Sequence, residues 1–439
     1  MATLKIFLLK TLNAIISATI YCGCITIFVS ASSCNSGTQK KIAVVKDSLP
    51  VMVLPIPVPI LKAAADRIFI GSKKWHDSAL RPGSFNGGMI VAKNGNIIFE
   101  EYTGNGHINR HDVVDSLTPF HIASVSKTFT AMAVLKLWQD GKLNIDEPFT
   151  KYFPAFNYTG ITIRNLLSHR SGLPNYLYFM HTLGWNKDSL LHNQDVLNSL
   201  IARKAELTNI GTPNTHFAYC NTNYALLALL VEKVSGVTYP TYLQQTFFTP
   251  LHMNHSFVFN SLDTGKVNPS YDYRGRIIPM NYLDGVYGDK NIYTTPRDLL
   301  IWDRALLSNL IFNKKTLDEA YAPYSNEKDG VKNYGLGWRM NIYPTGKKTI
   351  YHNGWWHGNN AAFIRLLQDS ATIIVVGNRF NKNIYHAKKL ANLFGNYDRA
   401  AGEEDESESA PPPMAPQSKI IRTRVVTTKT KHSSKKSKR

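Results

Sequence analysis

Ser124-Val125-Ser126-Lys127 sets a hydroxyl and an amine three residues apart at the mouth of an apolar stretch containing Phe129, Met132, Val134, Leu135 and Leu137. Residues three apart on a helix share a face, so the amine can lie beside the hydroxyl. Apolar surroundings disfavour the ammonium, so the amine can take the serine proton and activate a nucleophile. The helix N-terminus adds backbone donors for a developing oxyanion. The pattern alone carries no weight: Ser325 with Lys328 and Ser433 with Lys436 share it, and ordinary composition yields about one or two such hits by chance. Both of those pairs sit in polar sequence without helical character, which leaves Ser124 as the candidate.

A second pattern, Tyr219-Cys220-Asn221, precedes the apolar run Tyr224 to Val234. A phenol beside a nucleophile can relay a proton, and an amide can hold a substrate carbonyl. Tyr-x-Asn recurs at Tyr324 and Tyr351, so it too needs context. The third pattern is His352-Asn353-Gly354, on an expected strand. An imidazole there can donate to a substrate carboxylate or to the Tyr219 oxygen, and a glycine at the third place lets a ligand approach the backbone. His169, Arg170, Trp138 and Trp302 read as structural, and His107, His181 and His386 as surface residues.

The elements that must position these residues follow from patterning. Asn94-Gly95 between Met89–Lys93 and Asn96–Phe99 signals a two-residue hairpin. Ala361 to Leu367 and Thr372 to Gly377 form a matching β-rich pair near the other end. Between them, helices are expected over Ser126 to Asp140, Ile163 to Leu167, Asn223 to Val234 and Pro296 to Leu307. Strands at both ends with helices between predict an α+β fold: an antiparallel sheet whose first and last strands meet, flanked by helices, with an all-α lobe inserted.

With these patterns in order, 95 and 133 residues apart, the chain resembles the serine β-lactamase and penicillin-binding protein superfamily. It is most similar to the class C-like branch of D-alanyl-D-alanine carboxypeptidases, D-amino-acid peptidases and esterases. Phe120 to Ser124, Gly141 to Asp146, Ile161 to Pro174, Tyr293 to Leu299 and Tyr334 to Trp338 look like landmarks of that branch, and the resemblance covers residues 85–397. It implies the β-lactamase/transpeptidase-like fold and an acyl-enzyme on Ser124, with Lys127 and Tyr219 handling the proton. Asn221 would bind the substrate amide, and His352 would stand where other members carry Lys, favouring a carboxylate or orienting Tyr219. Backbone amides of Ser124 and Trp355 would form the oxyanion hole, in a substrate site that includes Asn353 and Gly354. No metal or organic cofactor is implied, and the partner expected is a small-molecule or peptide substrate. Cys220, Asn353 and Trp355-Trp356-His357 depart from the usual Ser, Thr and smaller residues of the branch.

At 439 residues with 44% hydrophobic content the chain can bury a large core. Its net charge of +19 divides as +4 before residue 51, +11 over 51–400 and +4 after it. That excess suits an anionic setting, and no nucleic-acid motif accompanies it. Residues 1–34 read as a signal peptide or membrane anchor: Lys5 and Lys10 precede an uncharged run, Leu12 to Cys34, with Cys34 a candidate lipidation site. Residues 35–84 read as a Pro-rich tether and lead-in, and 398–439 as a disordered tail, acidic from Glu403 to Glu408 and basic from Lys419 to Arg439. Export to a bacterial envelope is expected, as an anchored, lipidated or periplasmic protein, and the tail is expected to attract an anionic envelope polymer or membrane surface. The rival readings are a penicillin-sensor-like binding module that acylates without turnover, and an inactive scaffold.

Overall fold

Runs such as Met89-Ile90-Val91-Ala92 and Ile373-Ile374-Val375-Val376 are apolar at every position, which a strand requires when both faces of its sheet are covered. The computed structural model, which describes residues 51–107 and 112–398, shows that arrangement. Seven strands form one antiparallel sheet: β1 (Gly87–Lys93), β2 (Asn96–Thr103), β3 (Lys332–Tyr334), β4 (Arg339–Ile342), β5 (Lys348–Trp356), β6 (Asn359–Leu366) and β7 (Ala371–Gly377). Their order is β2-β1-β7-β6-β5-β4-β3. The first and last strands meet as expected, with Gly87 opposite Gly377 and Lys93 opposite Ala371. Alternate residues serve different layers. Ile90, Phe363, Ile374 and Val376 face the helical lobe, whereas Met89, Val91, Ile364 and Val375 face a second core on the other side.

That second core is closed by α1 (Lys62–Trp75) and by a 3₁₀ stretch, Lys382–Leu393. Residues 62–83 are therefore helical parts of the domain, which corrects their reading as a tether. Gly71 shows how closely they pack, since a Cβ there would lie 2.5 Å from a Leu393 methyl. Before them, 51–61 is extended but fixed to the domain: Met52 N–H donates to the Pro250 carbonyl at 2.8 Å and Val58 N–H to Asn94 at 3.2 Å. Residues 1–50 and 399–439, with the anchor, lipidation and tail expectations, lie outside the described residues.

The inserted lobe is built on two helices, α2 (Ser126–Gln139) and α3 (Asn221–Ser235), buried over most of their surfaces. Such helices show no clean amphipathic period because nearly every face meets protein. A third, α4 (Pro296–Leu307), is started by Thr295, whose hydroxyl caps Asp298 N–H at 3.0 Å. The lobe meets the sheet at the loop Tyr334 to Trp338. Gly337 there has φ +85°, its N–H donates to the Leu167 carbonyl, and an added Cβ would stand 2.2 Å from that of Ala131 in α2.

Gly337→Ala should therefore lose stability twice over, through a left-handed backbone and an overpacked contact, by about 3 kcal/mol or more. Gly346→Ala, at φ +78° with open space around it, should cost only about 1–2 kcal/mol. Urea midpoints of the two variants check the difference; equal losses would mean that the α2 contact relaxes freely.

Candidate active site

Between Phe120 and Leu135 only Ser124 is not fully buried. It sits in a single 3₁₀ turn, Ala123–Val125, that leads into α2. The turn is pinned from behind: Ile122 N–H donates to the Ile292 carbonyl at 3.0 Å, and Ser126 Oγ accepts from Ile292 N–H at 3.1 Å. Ala123 carries φ +47°, a left-handed conformation that costs a non-glycine residue about 1–2 kcal/mol. Strain of this kind persists where the surroundings over-determine it. Here they include His121 Nδ1, which accepts from Ala123 N–H at 3.2 Å.

Lys127 lies one turn below. Its Nζ donates to Ser124 Oγ at 3.1 Å, to Asn221 Oδ1 at 2.7 Å and to the Asp289 carbonyl at 2.8 Å. Three acceptors match the three N–H bonds of an ammonium. Because lysine only donates, the Asn221 oxygen must face it, leaving the Asn221 NH₂ for a substrate carbonyl. Tyr219 covers the group, with its ring centroid 5.0 Å from Nζ. Thus Ser124, Lys127, Tyr219 and Asn221 are brought together from segments about a hundred residues apart.

His169 holds Tyr219 in place. Its ring lies 4.4 Å from the Tyr219 ring, and Nδ1 accepts from Cys220 N–H at 3.1 Å. Burial, reinforced by Lys127, pushes its pKa well below the usual histidine range, so the ring is neutral. Cys220 is buried with Sγ toward the Leu173 carbonyl, and burial pushes its thiol pKa up, away from reactivity.

The third motif departs from expectation in detail. His352 is 1% exposed, Nδ1–H donates to the Asn353 carbonyl at 2.6 Å, and Nε2 faces the Tyr334 hydroxyl at 3.4 Å. Burial, then Arg339 and Lys127, drive its pKa well down. A neutral ring whose one N–H is taken donates neither to a carboxylate nor to Tyr219. The Asn353 side chain is buried, and neither polar atom has a partner among the described residues. At Gly354 the close approach is to the protein itself, since a Cβ would lie 2.2 Å from the Ile122 carbonyl oxygen. That contact sets β5 against the Ser124 turn and brings the half-exposed Trp355 to the same place. β5 outruns β4, whose pairing ends at Tyr351 opposite Arg339.

Arg339 was not anticipated. Its guanidinium lies 5.0 Å from the Tyr219 ring centroid, a cation–π position. Its place directly after the Tyr334 to Trp338 landmark was the available signal. Beyond Trp356 lies a cavity of about 270 Å³ bounded by His121, Ile278, Met280, Tyr293, Trp356 and His357.

The model of the beta-lactamase family matches residues 79–394. The chain belongs to that family. Among curated relatives it is 29% identical over 347 residues to penicillin-binding protein 4* of Bacillus subtilis, covering 74% of this chain and 76% of the relative. It is 27% identical to protein flp of Staphylococcus aureus, over 64% of this chain and 56% of that one. Among solved structures, a penicillin-binding protein from Bacillus halodurans superposes with a TM-score of 0.63 at 24% identity, covering 72% of this chain and 98% of the other. The D-amino acid amidase of Ochrobactrum anthropi superposes with a TM-score of 0.61 at 20% identity, over 76% and 97%. These two share the fold of this family member.

Acid should expose the neutral histidines. His121 is pushed down to about 4, mainly by burial, and His169 and His352 lie well below their usual range. The unfolded chain takes up these protons near pH 6.5 and the folded chain does not. Stability is therefore lost as pH falls below about 6.5, by about 1.4 kcal/mol per pH unit for each group, until the folded pKa is reached. Urea midpoints should drop between pH 7 and pH 5, and His352→Gln should flatten the slope. A midpoint independent of pH would show that these rings are protonated in the folded state.

Proposed function

We propose that this beta-lactamase-family protein is a serine hydrolase that cleaves amide or ester bonds, in D-amino-acid peptides, esters or β-lactams, through an acyl-enzyme on Ser124. The observation that carries the reading is the Lys127 amine bridging Ser124 Oγ, Asn221 and the Asp289 carbonyl, with Ser124 the accessible residue of the buried turn that leads into α2. Ser124 Oγ attacks the carbonyl and a C–O bond forms. The Oγ proton passes to the lone pair of the Lys127 amine, with Tyr219 the neighbouring relay. The developing oxyanion is held by the Ser124 and Trp355 amides. The proton then leaves with the amine or alcohol as the scissile bond breaks, and water hydrolyses the acyl-enzyme by the same relay. Asn221 donates to the substrate amide, and the cavity beyond Trp356 gives room to an apolar acyl group. The names of the relatives, penicillin-binding proteins and a D-amino acid amidase, support this substrate range.

Positive charge for a substrate carboxylate comes from Arg339, since His352 is neutral. The N-terminal pattern Lys5 to Cys34 supports an exported, envelope-held protein, and the basic tail an anionic partner there.

A fluorescent penicillin and a panel of esters and D-peptides test the reading. Ser124→Ala should abolish labelling and lower turnover by about a thousandfold or more, while Ser325→Ala, whose hydroxyl donates to Asn333 eight residues on, should change neither. Tyr219→Phe should slow acylation and keep the fold. Arg339→Gln should harm carboxylate-bearing substrates more than neutral esters, whereas His352→Ala should harm both alike. Full turnover by Ser124→Ala would remove the mechanism.

A further inference from the structure

Large apolar side chains left in water are usually scattered singly. Here several gather along one edge. In the extended strap 51–61, Val51, Val53, Ile56, Val58 and Leu61 are between 60% and 89% exposed. The strap is not free to turn them inward. Besides the bonds from Met52 and Val58, the Pro55 carbonyl accepts from Arg304 at 2.6 Å and the Val58 carbonyl from Asn96 at 2.6 Å. Those contacts lay it across the β1–β2 turn and the end of α4, where Ile97 and Leu307 are also exposed. The chain then enters α1, on which Ile70 is 65% exposed between Arg67 and Lys74, its i−3 and i+4 neighbours on the helix surface. α1 carries Lys62, Arg67, Lys73 and Lys74 against one acid, Asp66.

We infer that the strap and the outer face of α1 form a membrane-seating surface that holds the domain against an anionic bilayer, independently of the chemistry at Ser124. Three observations select a bilayer as the occupant. First, apolar side chains rimmed by basic ones match the boundary between acyl chains and anionic headgroups. Second, Pro55, Pro57 and Pro59 have no N–H, and the bonds to Arg304 and Asn96 satisfy two carbonyls, so the strap brings fewer unpaired backbone groups into the interface. Third, the uncharged run Leu12 to Cys34 is long enough to span a bilayer and ends only seventeen residues before Val51. Among the described residues no helix is long and apolar enough to cross a membrane; the proposed surface would lie on the bilayer.

The test uses the full chain in vesicles of mixed phosphatidylglycerol and phosphatidylcholine that carry a lipid with a photoactivatable acyl chain. After illumination, peptide mass spectrometry locates the lipid adducts. Adducts are expected within 51–75, and Val53→Asp with Ile56→Asp should cut them about threefold or more while leaving thermal stability and ester turnover unchanged. Both sites are exposed, so the paired variant tests seating and not folding. Adducts confined to residues 12–34, a chain that stays in solution, or a dimer in analytical ultracentrifugation that Val53→Asp with Ile56→Asp dissociates, with no lipid adducts in 51–75, would each overturn the proposal; the last would make the edge an interface between copies.

Discussion

A buried amine is tolerated only where its hydrogen bonds are met, and the rest of this structure is arranged around meeting those of Lys127. Its three acceptors come from three places: the turn before its own helix, the first residue of α3, and the Asp289 carbonyl just before the strand Ile292–Thr294. None of the three can drift without stranding a donor. The short contacts elsewhere follow from this. Ile122 is tied to Ile292, Gly337 admits the Tyr334 to Trp338 loop against α2, and Gly354 lets β5 reach the Ile122 carbonyl. The same convergence fixes Ser124 Oγ relative to Trp355 and Asn221, so the packing that satisfies the amine also fixes the geometry of the candidate site.

Charge around the site is one-sided. Lys127 and Arg339 both act on Tyr219, His169 and His352. Two buried histidines beside two cations stay neutral because a further positive charge would be neither solvated nor paired. The result is a site with positive charge at Arg339 and uncharged supporting rings, a field suited to an anion. His169 and His352 are then positioning residues: the first packs Tyr219, and the second ties Tyr334 to β5.

Much of this was legible in the sequence because it rests on local rules. The Asn94-Gly95 turn is in the left-handed conformation such a pair favours, and the apolar runs of β6 and β7 needed two covered faces. The Ser-Lys spacing works because Lys127 is one helical turn from Ser124. What escaped depends on tertiary approach. The motif glycine Gly354 looked like room for a ligand, yet the space is taken by Ile122, a residue 232 positions away. His352 looked like a charged donor, and only its burial beside Arg339 shows otherwise. The helix α1 was hidden by a polar and proline-rich lead, since its buried face is narrow and depends on β2 and on Leu393.

The site lies on the seam between two parts of one chain. The sheet contributes Gly354, Trp355 and Arg339, the inserted lobe contributes Tyr219 and Asn221, and Ser124 stands where the chain passes between them. Neither part holds a complete site. β1 and β7 pair along their length, so the sheet is closed by segments from opposite ends of the domain, with the lobe inserted between them. The seam is also where an edge stays open, as β5 continues beyond the end of its pairing with β4. An open strand edge buried inside a soluble protein would leave backbone groups unmatched. Beside Ser124, such an edge can pair with an extended backbone and complete the hydrogen bonding that the sheet leaves unfinished.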